Sequence, residues 1–269
     1  MNVRAQFAGV AFAGAPDKGA QERPQLGHNL TFGLLHAIGG AIAAGDYDDK
    51  PFPAEAELAG RYGTSLSVTR EAVKMLTAKG LLASRPRQGT RVRPVACWSL
   101  LDTDVLRWLL QRRHATDVLG QFDQLRIAIE PAAAELAARF AWPRGVRRIS
   151  DCLEEIALCE RHQEEPIEPQ IAFHAAILQA SRNPFYAQFQ DAVGTALRIA
   201  NRMRRRAGEP ALELAAYVAV RDAIAGGDWE HAGEAMQAIV SGVFPLAGTT
   251  GQSESIAAFG GNAQNFDLT

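Results

Sequence analysis

Residues 53–92 read PAEAELAGRYGTSLSVTREAVKMLTAKGLLASRPRQGTRV, and this stretch decides the fold of the first part of the chain. Apolar residues at helical spacing run to Gly63, a residue suited to the left-handed position that follows a helix. Ser65 predicts the N-cap of a second helix, because a serine hydroxyl can accept a hydrogen bond from the free N–H groups of the first turn. Gly80 predicts the end of that helix.

A basic hairpin is predicted directly after the second helix. Two short strands are expected at about residues 82–85 and 90–93, joined by a tight turn over 86–89. An apolar stripe over 29–44 predicts the first helix of the same unit. Three helices and a hairpin make a winged helix-turn-helix, whose second motif helix fits the DNA major groove while the wing lies along phosphates or in the minor groove.

Composition and charge narrow the class of protein. The 269 residues are enough for two domains. Residues 26–95 carry nine Lys and Arg against six Asp and Glu, whereas residues 96–245 carry sixteen Arg against twenty acids. A slightly basic domain joined to an acidic one is the charge distribution expected if the first domain binds the phosphate backbone of a nucleic acid and the second has another role. No apolar run reaches the roughly 18–20 residues that span a bilayer. The three cysteines form no Cys-x-x-Cys pair, so we expect reduced thiols in a cytoplasm.

The second part of the chain shows helical patterns without strand alternation. A joint over 94–99 leads into a helix that Asp102 or Thr103 can cap. Prolines at positions 143, 184 and 210 fit helix starts, where a missing N–H costs nothing. About seven helices with short links predict an all-α bundle. They are expected over 104–113, 117–140, 143–162, 167–181, 184–206, 210–225 and 228–244.

The fold class predicted for the chain is mainly α, with a winged helix-turn-helix domain followed by a helical bundle. Both ends of the chain are rich in small and polar residues and lack a sustained apolar period, so we expect them to be disordered. The predicted segments are a disordered arm over 1–25, the winged domain over 26–95, a linker over 96–103, the helical domain over 104–245 and a disordered tail over 246–269.

Four pieces of the opening stretch match a known pattern: PAEAELA at 53–59, TREAV at 69–73, KGL at 79–81 and GTRV at 89–92. In these pieces the sequence resembles the GntR family of bacterial transcription regulators. The resemblance implies that the helix beginning at Ser65 reads bases and that Gly89 leads the wing tip. It also puts Arg70 on the family's major-groove arginine, which can donate two hydrogen bonds to O6 and N7 of guanine.

Further candidate DNA contacts are polar or basic residues of the same unit. Candidates for phosphates or base edges are Ser65, Ser67 and Lys74; candidates for backbone phosphates and the wing are Arg61, Arg87, Gly89, Thr90 and Arg91. Ala56 and Leu66 stand where many family members have arginine, so the family's base-by-base specificity does not carry over. The alternative for Arg70 is a surface ion pair with Glu71 or Glu55.

Three pieces of the helical part match a second pattern: Leu125-Arg126 with Glu130-Pro131, FH at 173–174 followed by ASRNPF at 180–185, and DAIAGGD at 222–228. In these pieces the chain resembles the FCD ligand-binding domain of the FadR subfamily of GntR regulators. The segment WSLLDTDVLRW at 98–108 resembles the branch that responds to sugar acids such as galactonate or gluconate. The resemblance implies a homodimeric regulator, by family habit a repressor, that binds a two-fold DNA operator under the control of a small acid.

Many FCD domains bind a divalent metal through one Asp and three His. The resemblance puts Gln170, His174, Tyr217 and Ile239 at those positions, so one ligand of four remains. An imidazole with an amide and a phenol does not make a tight site for Zn, Mn or Ni. We therefore expect no metal cofactor in the bundle.

The same place is the candidate site for a polar effector pocket that binds a small acid without metal. Gln170, His174 and Tyr217 are expected to face the bundle centre, with Arg126 as a candidate clamp for a carboxylate. The alternative is a packed core without ligand, in a DNA-binding protein whose helical domain only dimerises. An enzyme with an added DNA-binding module is disfavoured, because the sequence shows no nucleophile beside a base, no glycine-rich phosphate loop and no metal cluster. The basic run at 202–206 is interpreted as a solvated helix end.

Overall fold

A computed structural model describes residues 30–48, 50–85, 89–111, 115–208 and 213–243. The predicted arm over 1–25, the predicted tail over 246–269 and Arg87 lie outside these residues. Helices and one antiparallel hairpin make up the described fold. The helices are α1 (Leu30–Ala44), α2 (Glu55–Tyr62), α3 (Leu66–Ala78), α4 (Thr103–Leu109), α5 (Ala115–Phe140), α6 (Pro143–Arg161), α7 (Ile167–Ala180), α8 (Pro184–Ala187), α9 (Gln190–Ala207), α10 (Leu214–Gly226) and α11 (Trp229–Val243), and the strands are β1 (Leu82–Arg85) and β2 (Gly89–Val92).

The first three helices and the hairpin form the predicted winged helix-turn-helix. Gly63 ends α2 in the left-handed conformation, with a φ of 65°. Ser65 caps α3, since its hydroxyl accepts a hydrogen bond from the backbone N–H of Val68 at 3.3 Å. Gly80 turns the chain with a φ of 84°, and a Cβ there would lie 2.3 Å from the carbonyl oxygen of Cys97. Local backbone chemistry therefore sets the orientation of α3.

A buried apolar core holds this unit together. Leu34, Ile38, Leu58 and Leu76 are among its members, from α1, α2 and α3. Helix α4 adds Val105, Trp108 and Leu109 to the same core. The sequence predicts α4 as part of the helical domain, and in the structure α4 packs on both domains, since its Leu106 lies in the core of the helical bundle.

The second core belongs to a helical bundle built around α5. Helices α7, α10 and α11 pack against α5, and α9 packs against both α7 and α4. The single helix predicted over 184–206 is two helices in the structure, α8 and α9. They separate because Gln188 and Phe189 donate to carbonyls only three residues back, at 3.3 and 3.0 Å, which tightens the turn and breaks the α-helical ladder.

Two predictions for this half concern helix starts and membrane spans. Pro143 and Pro184 occupy the first turns of α6 and α8, as the sequence indicates. Position 210 lies outside the described residues, and α10 begins at Leu214. Within the described ranges, the helices are too short or too polar to cross a bilayer.

Candidate nucleic-acid interface and effector site

The exposed face of α3 carries three of the predicted DNA contacts. Ser67, Arg70 and Lys74 are exposed there. Arg70 donates from Nε to Glu55 Oε2 at 2.9 Å, and Lys74 lies 3.6 Å from a carboxylate oxygen of Glu71. The alternative ion pair for Arg70 is thus present, but its side chain remains 60% exposed. An exposed pair contributes about 0–1 kcal/mol, so a guanine or a phosphate can compete with Glu55 for the guanidinium.

The predicted backbone contacts surround α3 on α2 and the hairpin. Arg61 pairs with Glu57 at 3.3 Å and donates to the hydroxyl of Tyr47 at 3.5 Å. Arg91 is exposed on β2, Thr90 is half-buried, and Gly89 has a φ of 78° at the start of that strand. Ala56 and Leu66, which stand where many family members have arginine, are both exposed, so these two positions offer no charged group to DNA.

The C-terminal end of α3 is tied to α4 by charges. Lys79 Nζ lies 2.6 Å from Asp102 Oδ2 and 3.0 Å from Asp104 Oδ2. Asp102 also caps α4, because its Oδ1 accepts from the N–H of Asp104 at 3.0 Å and of Val105 at 3.2 Å. Burial lowers the pKa of Lys79, but hydrogen bonds and charge from the two carboxylates outweigh it and raise that pKa. The end of the recognition helix and the start of α4 are therefore held together.

Trp108 holds the other side of α4 against α1. Its indole ring covers Gly39, where a Cβ would lie 2.4 Å from the ring atom Cη2. Its Nε1–H donates to His36 Nδ1 at 3.3 Å, and burial holds the pKa of His36 below its usual value, which keeps this imidazole available as an acceptor. A cleft of about 450 Å³ lies between α4 and the bundle, lined by Thr103, Arg107, Ile171, Ala175, Gln190, Asp191, Gly194, Thr195 and Arg198.

A buried ionic network lies in the centre of the bundle. Arg126 donates from Nε to Glu130 Oε1 at 2.5 Å and from Nη1 to Asp123 Oδ1 at 2.9 Å. The other carboxylate oxygen of Glu130 is hydrogen-bonded to Nδ1 of His174. All four residues are buried. The structure thus brings Arg126 and His174 together through Glu130, and the predicted carboxylate clamp already binds two carboxylates of its own chain.

Burial and charge have different net effects on the two acids of this network. Burial alone would raise the pKa of Glu130, but the charge of Arg126 and the contact with His174 lower it to about 2. For Asp123, burial prevails over Arg126 and raises the pKa. Glu130 is therefore the firmly ionised partner of the arginine.

Three polar atoms of the network have no hydrogen-bond partner among the described residues. They are Asp123 Oδ2, Arg126 Nη2 and His174 Nε2. A buried polar atom left unpaired costs about 1–3 kcal/mol, so a group that pairs with these atoms would be bound favourably. Gln170 and Tyr217 are buried nearby, with the Tyr217 ring 6.3 Å from the His174 ring. Burial raises the pKa of Tyr217, so its phenol stays neutral.

Sequence reasoning missed three members of this region. Asp123 and Glu130 flank Arg126 at the i−3 and i+4 positions of one helix, a spacing that could have indicated an ion pair. Arg204 is not a fully solvated residue, although the sequence predicts the run over 202–206 to be solvated. Its Nε is buried without a partner among the described residues, and its positive charge partly offsets the rise in the pKa of Tyr217. Arg202, Arg205 and Arg206 are exposed, as the interpretation expects.

The residues at the family's metal positions do not fit a divalent ion. Ile239 and Tyr217 offer no donor of the usual kind, and Nδ1 of His174 is engaged by Glu130. Among the residues that the structure covers, no three His, Cys, Asp or Glu side chains cluster in a way that could hold a metal.

Fold and surfaces together define a two-domain DNA-binding regulator of transcription. Residues 38–92 match the bacterial regulatory proteins of the gntR family, and residues 123–242 match the FCD domain. YieP, an HTH-type transcriptional regulator of Escherichia coli K12, is 32% identical over 215 residues, which cover 79% of this chain and 93% of YieP. The chain therefore belongs to the GntR family, and its FCD domain fits the FadR-type subfamily.

Two further known proteins are similar to this chain. The galactonate operon transcriptional repressor of Escherichia coli K12 is 33% identical over 168 residues, which cover 62% of this chain and 73% of that protein. A solved structure of Lar, which controls expression of the Listeria monocytogenes agr system, covers 80% of this chain and 94% of its own at 17% identity, with a TM-score of 0.53. That likeness supports the fold. The relatives are regulators of transcription, not enzymes.

Proposed function

We propose that the chain is a homodimeric repressor that works in the cytoplasm, binds an operator with two-fold symmetry and is released by a small sugar acid or another hydroxylated organic acid. One recognition helix and one wing bury too little surface for specificity across a genome, whereas two half-sites multiply the discrimination. The proposed DNA contacts are the residues predicted from the sequence, namely Arg61, Ser65, Ser67, Arg70, Lys74, Arg87, Gly89, Thr90 and Arg91.

The unpaired buried atoms of the network carry the effector proposal. Arg126 Nη2 is a donor and Asp123 Oδ2 is an acceptor when ionised. His174 donates its Nδ1–H to the ionised Glu130, which leaves Nε2 as the acceptor of the neutral ring. A hydroxy acid has a carboxylate for the arginine donor and hydroxyl groups for the acceptors, so one small molecule can pair with all three atoms. The name of the galactonate operon repressor points to the same chemical class. Gln170 and Tyr217 complete the proposed site.

Helix α9 offers a route from this site to DNA. It carries Arg204 beside Tyr217 and packs against α4, whose start is bound to Lys79 at the end of α3. An effector that draws Arg204 inward would shift α9, then α4 and the recognition helix. Release requires that the effector binds the two arrangements with different affinity, since equal binding moves no equilibrium.

A ligand screen with matched variants tests the effector. Galactonate, gluconate and lactate are added to the protein while its melting temperature and its retention on a fragment of its own upstream DNA are measured. A bound acid at about 100 times its Kd should add roughly 2.7 kcal/mol to the free energy of unfolding. Arg126→Lys keeps the charge without the guanidinium Nη2 and should lose the response. Arg198→Lys is the control, because Arg198 pairs with Glu168 on the surface.

The two parts of the proposal fail separately. If no acid stabilises the protein or releases DNA, the alternative of a DNA-binding dimer whose helical domain only dimerises replaces the effector-controlled repressor. If the protein shows no preference for its upstream DNA over an unrelated fragment, the operator proposal is contradicted whatever the acids do.

A further inference from the structure

Helix α6 separates its charges along its exposed face. It packs against α7 and α10 and buries Ile149, Cys152, Leu153 and Ile156. Its solvent-exposed face has three arginines towards the N-terminus and carboxylates towards the C-terminus. In chain order these residues are Arg144, Arg147, Arg148, Asp151, Glu154 and Glu155.

Helix stability explains only part of this order. A single helix favours acids in its first turn and cations in its last; the last turn of α6 has Arg161, as expected, but the first turn has Arg144 and no acid. Within the described ranges, none of the six charged side chains forms an ion pair, although Glu168 on α7 and Arg198 on α9 do. Both signs of charge are thus available to a partner.

We propose that α6 is the homodimer interface, lying antiparallel to α6 of a second copy across a two-fold axis. The proposal rests on the dimer of the proposed function and names its surface. Residues 144, 148, 151, 155 and 158 alternate spacings of four and three, as in the seam of two packed helices. Reversing one helix sets Arg148 of one protomer opposite Glu155 of the other, and the axis repeats the contact. The two copies of Asp151 then lie near the axis, one turn from Arg148 of their own helices.

Apolar side chains and a basic cleft lie at the two ends of this seam. Trp142 is 65% exposed at one end and Leu158 is 47% exposed at the other, so antiparallel pairing brings these two together. Beside Trp142 a cleft of about 660 Å³ is lined by Arg144, Arg148 and Arg182, and no described carboxylate lines it. The acidic end of the partner's α6 has the complementary charge for this cleft.

Reversing charges in blocks tests the interface without depending on a one-residue register. One variant carries Arg147→Glu and Arg148→Glu, and the other carries Glu154→Arg and Glu155→Arg. In a homodimer of either variant, like charges face each other at both symmetric contacts, so the Kd of the dimer should rise by roughly 100-fold or more. An equimolar mixture should recover a one-to-one dimer, because opposite charges then face each other at both contacts. Glu230→Arg with Glu234→Arg, an exposed pair on α11, is the control and should stay dimeric.

Light scattering after size exclusion gives the mass, against a chain mass of 29.0 kDa, and circular dichroism checks the fold. A monomeric wild type, block variants that remain dimers, or a mixture that does not recombine would each contradict the proposal. If a block variant does not fold, Arg148→Glu and Glu155→Arg are compared in the same way. Upstream DNA binding by the wild type is measured in parallel, so a failed interface is distinguishable from a failed regulator.

Discussion

Two arginine–glutamate pairs show how differently the two halves of the chain use the same chemistry. Arg70 and Glu55 meet at the surface with side chains 60% and 37% exposed, whereas Arg126 and Glu130 are almost completely excluded from water. Water screens the first pair, so opening it costs little and leaves Arg70 available to DNA. Removing one member of the second pair leaves the other charge buried without a partner, which is strongly destabilising. The buried pair of Arg126 and Glu130 is therefore needed for the fold.

The buried pair should show the largest effect on stability. Arg126→Met leaves Glu130 and Asp123 buried without their cation and should lower the free energy of unfolding by about 3–5 kcal/mol. Urea denaturation monitored by circular dichroism measures this change. Arg198→Met is the control, since its partner Glu168 is on the surface and the expected loss is at most about 1 kcal/mol. Equal losses in the two variants would contradict the contrast between buried and exposed pairs.

Acid should weaken the buried pair in a defined pH window. Glu130 has an ordinary pKa of 4.5 and a folded pKa of about 2, so its contribution is complete above about pH 4.5 and is lost as the pH falls towards 2. That difference corresponds to at most about 3 kcal/mol of the free energy of unfolding. The gap in stability between the wild type and Glu130→Gln should therefore narrow from pH 5 to pH 2. A constant gap would show that ionisation of Glu130 contributes nothing.

Packing at the domain junction should give an intermediate effect. In Gly39→Ala the added methyl group meets the Trp108 ring and should cost about 1–3 kcal/mol. Gly40 is the matched control in the same helix, because nothing lies within 4 Å of its Cβ position. Gly40→Ala should gain about 0.5–1 kcal/mol through helix propensity. If both variants melt alike, α4 is not held tightly on α1.

The exposed pair should show the smallest effect on stability. Arg70→Ala removes one screened ion pair and should change the free energy of unfolding by no more than about 1 kcal/mol. Urea denaturation under the conditions used for Arg126→Met measures it. A loss as large as that of Arg126→Met would mean that Arg70 stabilises the fold and is not free for DNA.

The winged unit was predictable in detail because its signals are local. Ser65, Gly63 and Gly80 act within one turn of the backbone, and each does in the structure what its residue type indicates. The division between α8 and α9 escaped prediction, because helical spacing continues across it while the hydrogen bonds do not.

Contacts between residues far apart in the chain could not be predicted from the sequence pattern. Glu130 meets His174, 44 residues away, only because α5 and α7 are rotated to bring them together. Trp108 packs in the core of the winged domain, and periodicity alone does not say which core receives an apolar face. The sequence therefore indicated the polar residues Arg126 and His174, but not the acids that join them.

Binding of DNA by Arg70→Ala tests the central claim most directly. Fluorescence anisotropy with the protein's own upstream DNA, competed by an unrelated fragment, measures affinity and preference at one salt concentration. Arg70→Ala should weaken specific binding by about 10- to 100-fold, as the loss of a bidentate contact to guanine predicts, while its folded stability stays close to that of the wild type. Unchanged affinity in Arg70→Ala, or a wild type that binds both fragments equally, would contradict the assignment of α3 as the helix that reads DNA.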